Sequence, residues 1–367
     1  MEIWSINVMV LVFVALPSFQ AYAYTKNTLN IDCGATTQSE DNTTYLRWET
    51  DDEYTKTGNN EFLVFTNASF YPMKTLRSFP IGDKNCYNLP FEPQAKYILR
   101  AGFYYGNHDN LLKPPTFVLE VDRKLSVTVT TSLDHVPFIS TIESQQLYGK
   151  DTYKLMQNHT ALYLEKRINY GANETFPERL SIDADEFNRI WKPEEIPSYR
   201  SLTPGFDVTI TGWATHSENY PPFAVLWYAI EAYNSSESIF LPVTFQEKKS
   251  QAAYFVFYFA SFVYYPNITS RTVSIYIDGE EKVLTEIPDA YKGIFPVVSI
   301  YPVNTTNGTV NVTISAVEGS PLPPLLCAME VFTTMSEVVS KASDHDYINF
   351  SLVLVFFLVL SLSLSGL

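Results

Sequence analysis

Three carboxylates come nearest to a reactive arrangement: Asp183, Asp185 and Glu186 lie in one short run. Two carboxyl groups held at a suitable separation can hydrolyse a glycosidic bond, one acting as acid and the other as base or nucleophile. This run is acidic and loop-like, so the expectation is a solvated face and not a catalytic pair. No Gly-x-Ser-x-Gly, no His-Glu-x-x-His and no phosphate-cradling Walker sequence occurs. The 5 His are scattered and Cys-x-x-Cys is absent, so neither a structural zinc site nor a cofactor is expected. The 3 Cys, namely Cys33, Cys86 and Cys327, suggest one bridge and one remaining thiol in an oxidising compartment. Cys33–Cys86 is the expected bridge, both residues lying in the first half. Cys327 sits in the apolar run Leu325-Leu326-Cys327-Ala328-Met329 and reads as a small buried hydrophobe. The other chemical resource is aromatic. With 25 Tyr, 25 Phe and 5 Trp, rings make up 15% of the chain, enough both to pack strands and to offer stacking surfaces.

The elements that carry those rings read as strands. Alternating or β-rich runs include Tyr97-Ile98-Leu99-Arg100, Phe117-Val118-Leu119-Glu120-Val121, Ser126-Val127-Thr128-Val129-Thr130, Asp207-Val208-Thr209-Ile210, Thr272 to Ile277 and Val310 to Ile314. Gly, Asn, Asp and Pro punctuate them, with Asp278-Gly279 and Asn307-Gly308 as turn dipeptides. Many short strands at this spacing predict an all-β chain of sandwiches or barrels, with one helical turn near Glu186 to Ile190. The pattern also repeats. Tyr97 corresponds to Tyr254 and Asp122 to Asp278, at an offset of roughly 156. Pro137-Phe138-Ile139-Ser140-Thr141-Ile142-Glu143 then corresponds to Pro324 through Glu330 at an offset of roughly 187. The first repeat is therefore about 30 residues shorter than the second after its Asp-led turn, the length of three or four strands: either the first has lost them and should carry an open edge, or the second carries an insertion.

Hydrophobic residues make up 46% and charged residues 18%, which is ample for a packed core. The net charge of −15 repels phosphate backbones, so nucleic-acid binding is not expected. The run Val8 to Pro17 followed by Ala21-Tyr22-Ala23 reads as a signal peptide cut after Ala23. At the other end Phe350 to Leu367 is apolar and no Lys or Arg follows it. Small residues and a polar spacer precede it, a pattern for a GPI anchor at Ser340 or Ser343, with a single-pass helix as the alternative. N-glycosylation sequons stand at Asn42, Asn67, Asn158, Asn173, Asn234, Asn267, Asn304, Asn307 and Asn311. The expected organisation is a signal peptide over 1–23, a shortened domain over 24–150 and a second domain over 151–335. A polar spacer over 336–347 and a hydrophobic tail over 348–367 complete it. The expected location is the outer face of the plasma membrane, reached through the secretory pathway.

The ordered set of motifs resembles the plant malectin-like family, tandem malectin-type ectodomains of receptor-like kinases. Its carriers are Ile31-Asp32-Cys33-Gly34, Tyr54-Thr55-Lys56-Thr57-Gly58, Leu76-Arg77-Ser78-Phe79-Pro80, Asn85-Cys86-Tyr87-Asn88-Leu89, Arg100 through Gly106-Asn107-His108-Asp109, and Pro137-Phe138-Ile139-Ser140. Phe187-Asn188-Arg189-Ile190-Trp191 and Leu322-Pro323-Pro324 through Glu330-Val331-Phe332 follow. Together they span most of residues 27–333. The resemblance implies two tandem β-sandwiches, jelly-roll-like, the first shortened. It supports a loss in the first repeat, because the family usually has more chain before Pro137-Phe138-Ile139-Ser140. The family usually has a polar residue where Cys327 stands. No leucine-rich repeat or kinase motif occurs in these 367 residues. The implied role is non-catalytic recognition of carbohydrate or cell-wall glycan by ring stacking. The candidate ligand residues are Tyr54, Tyr87, Tyr104, Tyr105 and Asp109 in the first repeat, with Phe262, Tyr264 and Tyr265 in the second. The alternative partner is a receptor kinase or peptide ligand, with no sugar involved.

Overall fold

The computed structural model describes residues 28–355 apart from 64–70, 83, 93–94, 112–113, 122–125, 131–135, 150–151, 155–160, 204–213, 215–216, 263–269, 290–292, 335–337 and 342–347. Strands dominate. The chain opens with β1 (Thr28–Asp32), β2 (Ser39–Glu40), β3 (Arg47–Thr50) and β4 (Asn59–Phe62). A 3-10 turn over Tyr71–Lys74 leads into β5 (Thr75–Ser78), β6 (Lys84–Asn88) and β7 (Lys96–Phe103). β8 (Thr116–Val121), β9 (Ser126–Thr130), β10 (Phe138–Ile139) and β11 (Thr141–Leu147) follow. The second half begins with β12 (Leu162–Tyr170), β13 (Lys192–Glu194), β14 (Arg200–Leu202) and one helical turn, α1 (Phe223–Leu226). It continues through β15 (Ala229–Glu231), β16 (Ile239–Thr244), β17 (Gln251–Tyr258), β18 (Ser270–Ile277) and β19 (Glu280–Pro288). β20 (Val297–Thr305), β21 (Thr309–Ala316), β22 (Leu325–Leu326) and β23 (Ala328–Thr334) precede the C-terminal β24 (Val338–Lys341) and β25 (Ile348–Val355). The expected helical turn near Glu186 is irregular backbone instead.

Local sequence explains the pairing. β16 alternates buried and exposed residues along Ile239–Thr244, because one face meets the core and the other meets water. Its Pro242 has no N–H to give, and β16 is an edge strand, paired only with β21. The β18–β19 hairpin turns on Asp278 and Gly279, both at positive φ, and the tight turn that carries the chain from β20 to β21 in the facing sheet uses Asn307 and Gly308, also at positive φ. These are the two dipeptides singled out as turns, and a left-handed pair is what a tight hairpin needs.

Two hydrophobic cores result. The first joins Ile31, Leu76, Phe79, Leu99, Phe103, Tyr105, Phe117 and Phe138. It lies among the β1-β11-β7 sheet, the β10-β5-β4 sheet and the layer of β6, β8 and β9. The second joins Trp191, Leu226, Ile239, Phe255, Phe257, Ile275, Val312 and Phe332. It lies between the β12-β23-β17-β20 sheet and the β16-β21-β18-β19 sheet. The sequence echoes are structural equivalents: β7 pairs with β11 as β17 pairs with β23. A further echo is visible only with the fold in hand. Ile31-Asp32-Cys33-Gly34-Ala35 and Ile168-Asn169-Tyr170-Gly171-Ala172 close β1 and β12 in the same way. Gly34 and Gly171 stand at φ +78 and +79, where a Cβ would come within 2.0 Å of the Leu76 carbonyl oxygen and 2.2 Å of that of Ala229. Only glycine fits either place.

The 30-residue difference between the repeats is smaller in strands than expected. β8 runs to β9 across residues 122–125, whereas β18 reaches β21 through β19 and β20. Two long strands account for it, not three or four. The halves are docked through buried charge. Glu143, 3% exposed, accepts from Arg100 Nη1 at 2.7 Å and from Arg179 Nη2 at 3.0 Å, while Arg100 Nη2 donates to the Asn188 carbonyl at 2.6 Å.

Candidate functional site

β7 carries its chain out of the first core into the loop Tyr104–Leu111, which turns on Gly106, Asn107 and Asn110 at positive φ. The loop folds inward. Tyr105 is 1% exposed and donates its hydroxyl to Asp109 Oδ1, with Asn107 Oδ1 at 3.3 Å. The Leu111 N–H also donates to Asp109 Oδ1, at 3.0 Å. His108 Nδ1 lies 3.0 Å from Glu61 Oε2, and Ser78 Oγ donates to Glu61 Oε1. The remaining Asp109 Oδ2 and His108 Nε2 are buried and have no hydrogen-bond partner. Both atoms lie beneath the surface, out of reach of a ligand hydroxyl. Tyr104 is half-buried against the core, its N–H held by Ser140 Oγ at 3.1 Å.

Two expected ring contacts are corrected by burial. Tyr105 holds Asp109 in place and has no face left for stacking. Tyr87 is 0% exposed, and its hydroxyl donates to Asp51 Oδ2 at 2.8 Å. Asp51 in turn receives Arg77 Nε and Nη2, each at 2.6 Å, so Tyr87 belongs to a buried ion-pair network. Tyr54 is half-buried and donates to Glu49 Oε2 at 2.8 Å; burial and Glu49 push its phenol well above the usual range.

The expected Cys33–Cys86 bridge is also absent, since all three cysteines are thiols. Residues alternate sides along β6. Asn85 and Tyr87 are buried, which turns the intervening Cys86 to the opposite face. Cys33 lies on the core side beside Tyr87 and Asp51, and burial pushes its thiol well above its ordinary value. Cys327 is fully buried as expected, its Sγ donating to the carbonyls of Leu226 at 3.4 Å and Ala260 at 3.5 Å.

The carboxylate run is not a solvated face throughout. Asp183 is exposed, but Asp185 is 1% exposed and saturated. It receives Arg189 Nη2 at 2.9 Å and Trp191 Nε1 at 3.0 Å. Burial raises Glu186 to about 7. An acid pinned by an arginine inside the core cannot shuttle protons to a substrate. Among the described residues no cluster of His, Cys, Asp and Glu is placed to hold a metal ion.

The second half supplies what the first has folded away. α1 and its cap put Phe223 and Trp227 four residues apart on one face, stacked with ring centroids 6.4 Å apart. Phe262, just past β17, meets Trp227 edge-on at 6.2 Å. Phe295, before β20, lies 5.5 Å from Phe223 and 6.0 Å from Phe262. Phe223, Trp227 and Phe262 are half-buried over a nearly buried Phe295. The result is a ring platform in which Phe223, Trp227 and Phe262 each keep part of their surface exposed. Of its members sequence reasoning found Phe262 alone. The Phe223-x-x-x-Trp227 spacing was the missed signal, too short a helix to show a period. Tyr264 and Tyr265 lie outside the described residues, as do Asn67, Asn158, Asn267 and Ser343. The sequon asparagines Asn42, Asn173, Asn234, Asn304, Asn307 and Asn311 are all exposed. Ser340 falls within β24, and no described helix is long and apolar enough to cross a membrane.

Comparison with known proteins places this architecture. The chain matches the model of the malectin-like domain over residues 31–136 and 120–334. A putative leucine-rich repeat receptor-like protein kinase of Arabidopsis thaliana is 26% identical over 356 residues, covering 87% of this chain and 39% of that one. A probable leucine-rich repeat receptor-like serine/threonine kinase of the same plant is 25% identical over 381 residues, covering 94% and 41%. The chain thus spans about two-fifths of the length of these relatives. The crystal structure of the ANX2 ectodomain from Arabidopsis thaliana superposes with a TM-score of 0.66 at 17% identity, over 84% of this chain and 97% of that one. The plant receptor-like kinase FER gives 0.63 at 16%, over 84% and 96%. At such identity these structures establish the fold.

Proposed function

The chain belongs to the malectin-like domain family, and from that premise we propose a non-catalytic recognition module displayed at the cell surface, holding a neutral glycan against the ring platform of the second sandwich. The single observation that carries this is the Phe223–Trp227–Phe262 group, three rings that stay partly exposed while Phe295 packs against Phe223 and Phe262. Sugar C–H faces stack on such rings, and nearby polar atoms then fix orientation. A net charge of −15 disfavours polyanionic wall polymers and leaves neutral ones. The exposed sequon asparagines are consistent with passage through the secretory pathway, with glycans attached at those positions. Tyr54 and Tyr104, both half-buried, are the remaining contact candidates of the first sandwich under this proposal.

The test is titration calorimetry of the secreted protein against neutral oligosaccharides. Trp227→Ala should weaken binding about tenfold, the worth of one stacked ring. Equal affinity of Trp227→Ala and wild type refutes the platform. A second proposal, docking of a receptor or extended peptide, is favoured by a different observation. β4 is an edge strand whose Phe62 is 63% exposed, and Ile81 is 82% exposed. An open edge with apolar side chains suits strand addition. Absence of any sugar binding, together with capture of a purified receptor ectodomain that Phe62→Asp abolishes, selects it.

A further inference from the structure

The first sandwich lacks two strands, and the C-terminal segment lies where they would be. In the second sandwich β19 flanks β18 and β20 flanks β17, both antiparallel. The equivalents of β17, β18 and β21 are β7, β8 and β9, and nothing in the chain between β8 and β9 is long enough to replace β19 and β20. One edge is thereby left beside β8 and another beside β7. β24 pairs antiparallel with β8, from Val338↔Leu119 to Lys341↔Thr116. β25 pairs antiparallel with the whole of β7, from Ile348↔Phe103 to Val355↔Lys96. It also meets Leu162 and Tyr163 of β12, so one sheet runs through both sandwiches. Position, direction and chain order (β24 before β25, as β19 before β20) all coincide.

We infer that β24 and β25 are donor strands that complete the first sandwich in cis. The physical need is plain. With β25 in place Tyr97 through Phe103 of β7 are all buried; without it the N–H and C=O groups along that side of β7 would form a bare strand edge. A second strand satisfies them through main-chain hydrogen bonds. The sequence Ile348-Asn349-Phe350-Ser351-Leu352-Val353-Leu354-Val355 suits the task, being rich in β-branched and aromatic residues and free of charge. The same apolar composition suggested an anchor signal. The pairing with β7 gives it a second use that composition alone does not reveal.

Hydrogen exchange read by mass spectrometry tests this in the full chain. Leu352→Pro removes an N–H and breaks the ladder in the middle of β25. Amides of β7 and β8 should exchange about a hundredfold faster in that variant, while those of β17 and β18 keep wild-type rates. A chain ending at Thr334 should show the same pattern, and a synthetic peptide covering residues 336–357 should restore slow exchange in β7. The second-sandwich amides report in each sample that the chain has folded. Wild-type exchange in β7 for Leu352→Pro overturns the inference. So does a secreted protein whose C-terminus maps to Ser340 or Ser343, because that cut removes β25.

Discussion

Asp32→Asn should make the protein more stable at neutral pH and leave it little changed in acid. Asp32 is 1% exposed at the end of β1. Its Oδ1 accepts from Thr75 Oγ1, and its Oδ2 is buried with no partner. Burial first, then the nearby Asp51 carboxylate, raises it from 3.8 to about 7. A folded chain therefore keeps the proton through a range where the unfolded chain has lost it. Stability falls as pH rises from about 4 to 7 at ~1.4 kcal/mol per unit, and is flat above. Summed over that range the charge costs about 4 kcal/mol at pH 8. The second repeat already carries the neutral residue, since Asn169 takes the equivalent place at the end of β12. Urea unfolding of wild type and Asp32→Asn from pH 4 to 8 gives a difference curve. It should rise from within ~1 kcal/mol of zero to about 4 kcal/mol in favour of the variant. A difference that is flat across this range refutes the argument, because Asp32 would then titrate alike in the folded and unfolded chains.

Three further outcomes follow from the geometry. Gly171→Ala forces a Cβ to 2.2 Å from the Ala229 carbonyl oxygen at φ +79; thermal unfolding should register a loss of about 3 kcal/mol or more. Glu330→Ala strands Arg167, whose Nε lies 2.5 Å from Glu330 Oε1 in a core where both are buried. Chemical denaturation should show a loss of ~3–5 kcal/mol, and a value under about 1 kcal/mol would mean the arginine finds water. Millimolar dithiothreitol should leave the melting temperature unchanged, because the three cysteines are thiols; a drop on reduction would reveal a bridge.

Much of the fold is local and therefore legible in sequence. β-rich runs mark β18 and β21, and Asp278-Gly279 and Asn307-Gly308 mark the turns that follow β18 and precede β21, before any coordinates are seen. The repeat offsets locate the shortening. What sequence conceals is long-range. Tyr87 and Tyr105 have the composition of ligand rings, but their hydroxyls meet Asp51 and Asp109, and their exposure depends on partners that no spacing rule reveals. Asp185 reads as one more surface acid until Arg189 and Trp191 close over it. The ring platform draws on α1, the end of β17 and the approach to β20, segments that lie far apart in the chain.

The buried junction at Glu143 bears on how such a molecule responds to force. Arg100 grips it from its own half, Arg179 from the other, and Arg100 also reaches across to the Asn188 carbonyl. Hinging the halves would pull charges out of register in a dry place, so bending there is stiff. A load applied at the ring platform is then carried into the opposite half as a turn of the entire body. Under the proposed function, tension on a glycan held there would pass through a lever with no slack in the middle.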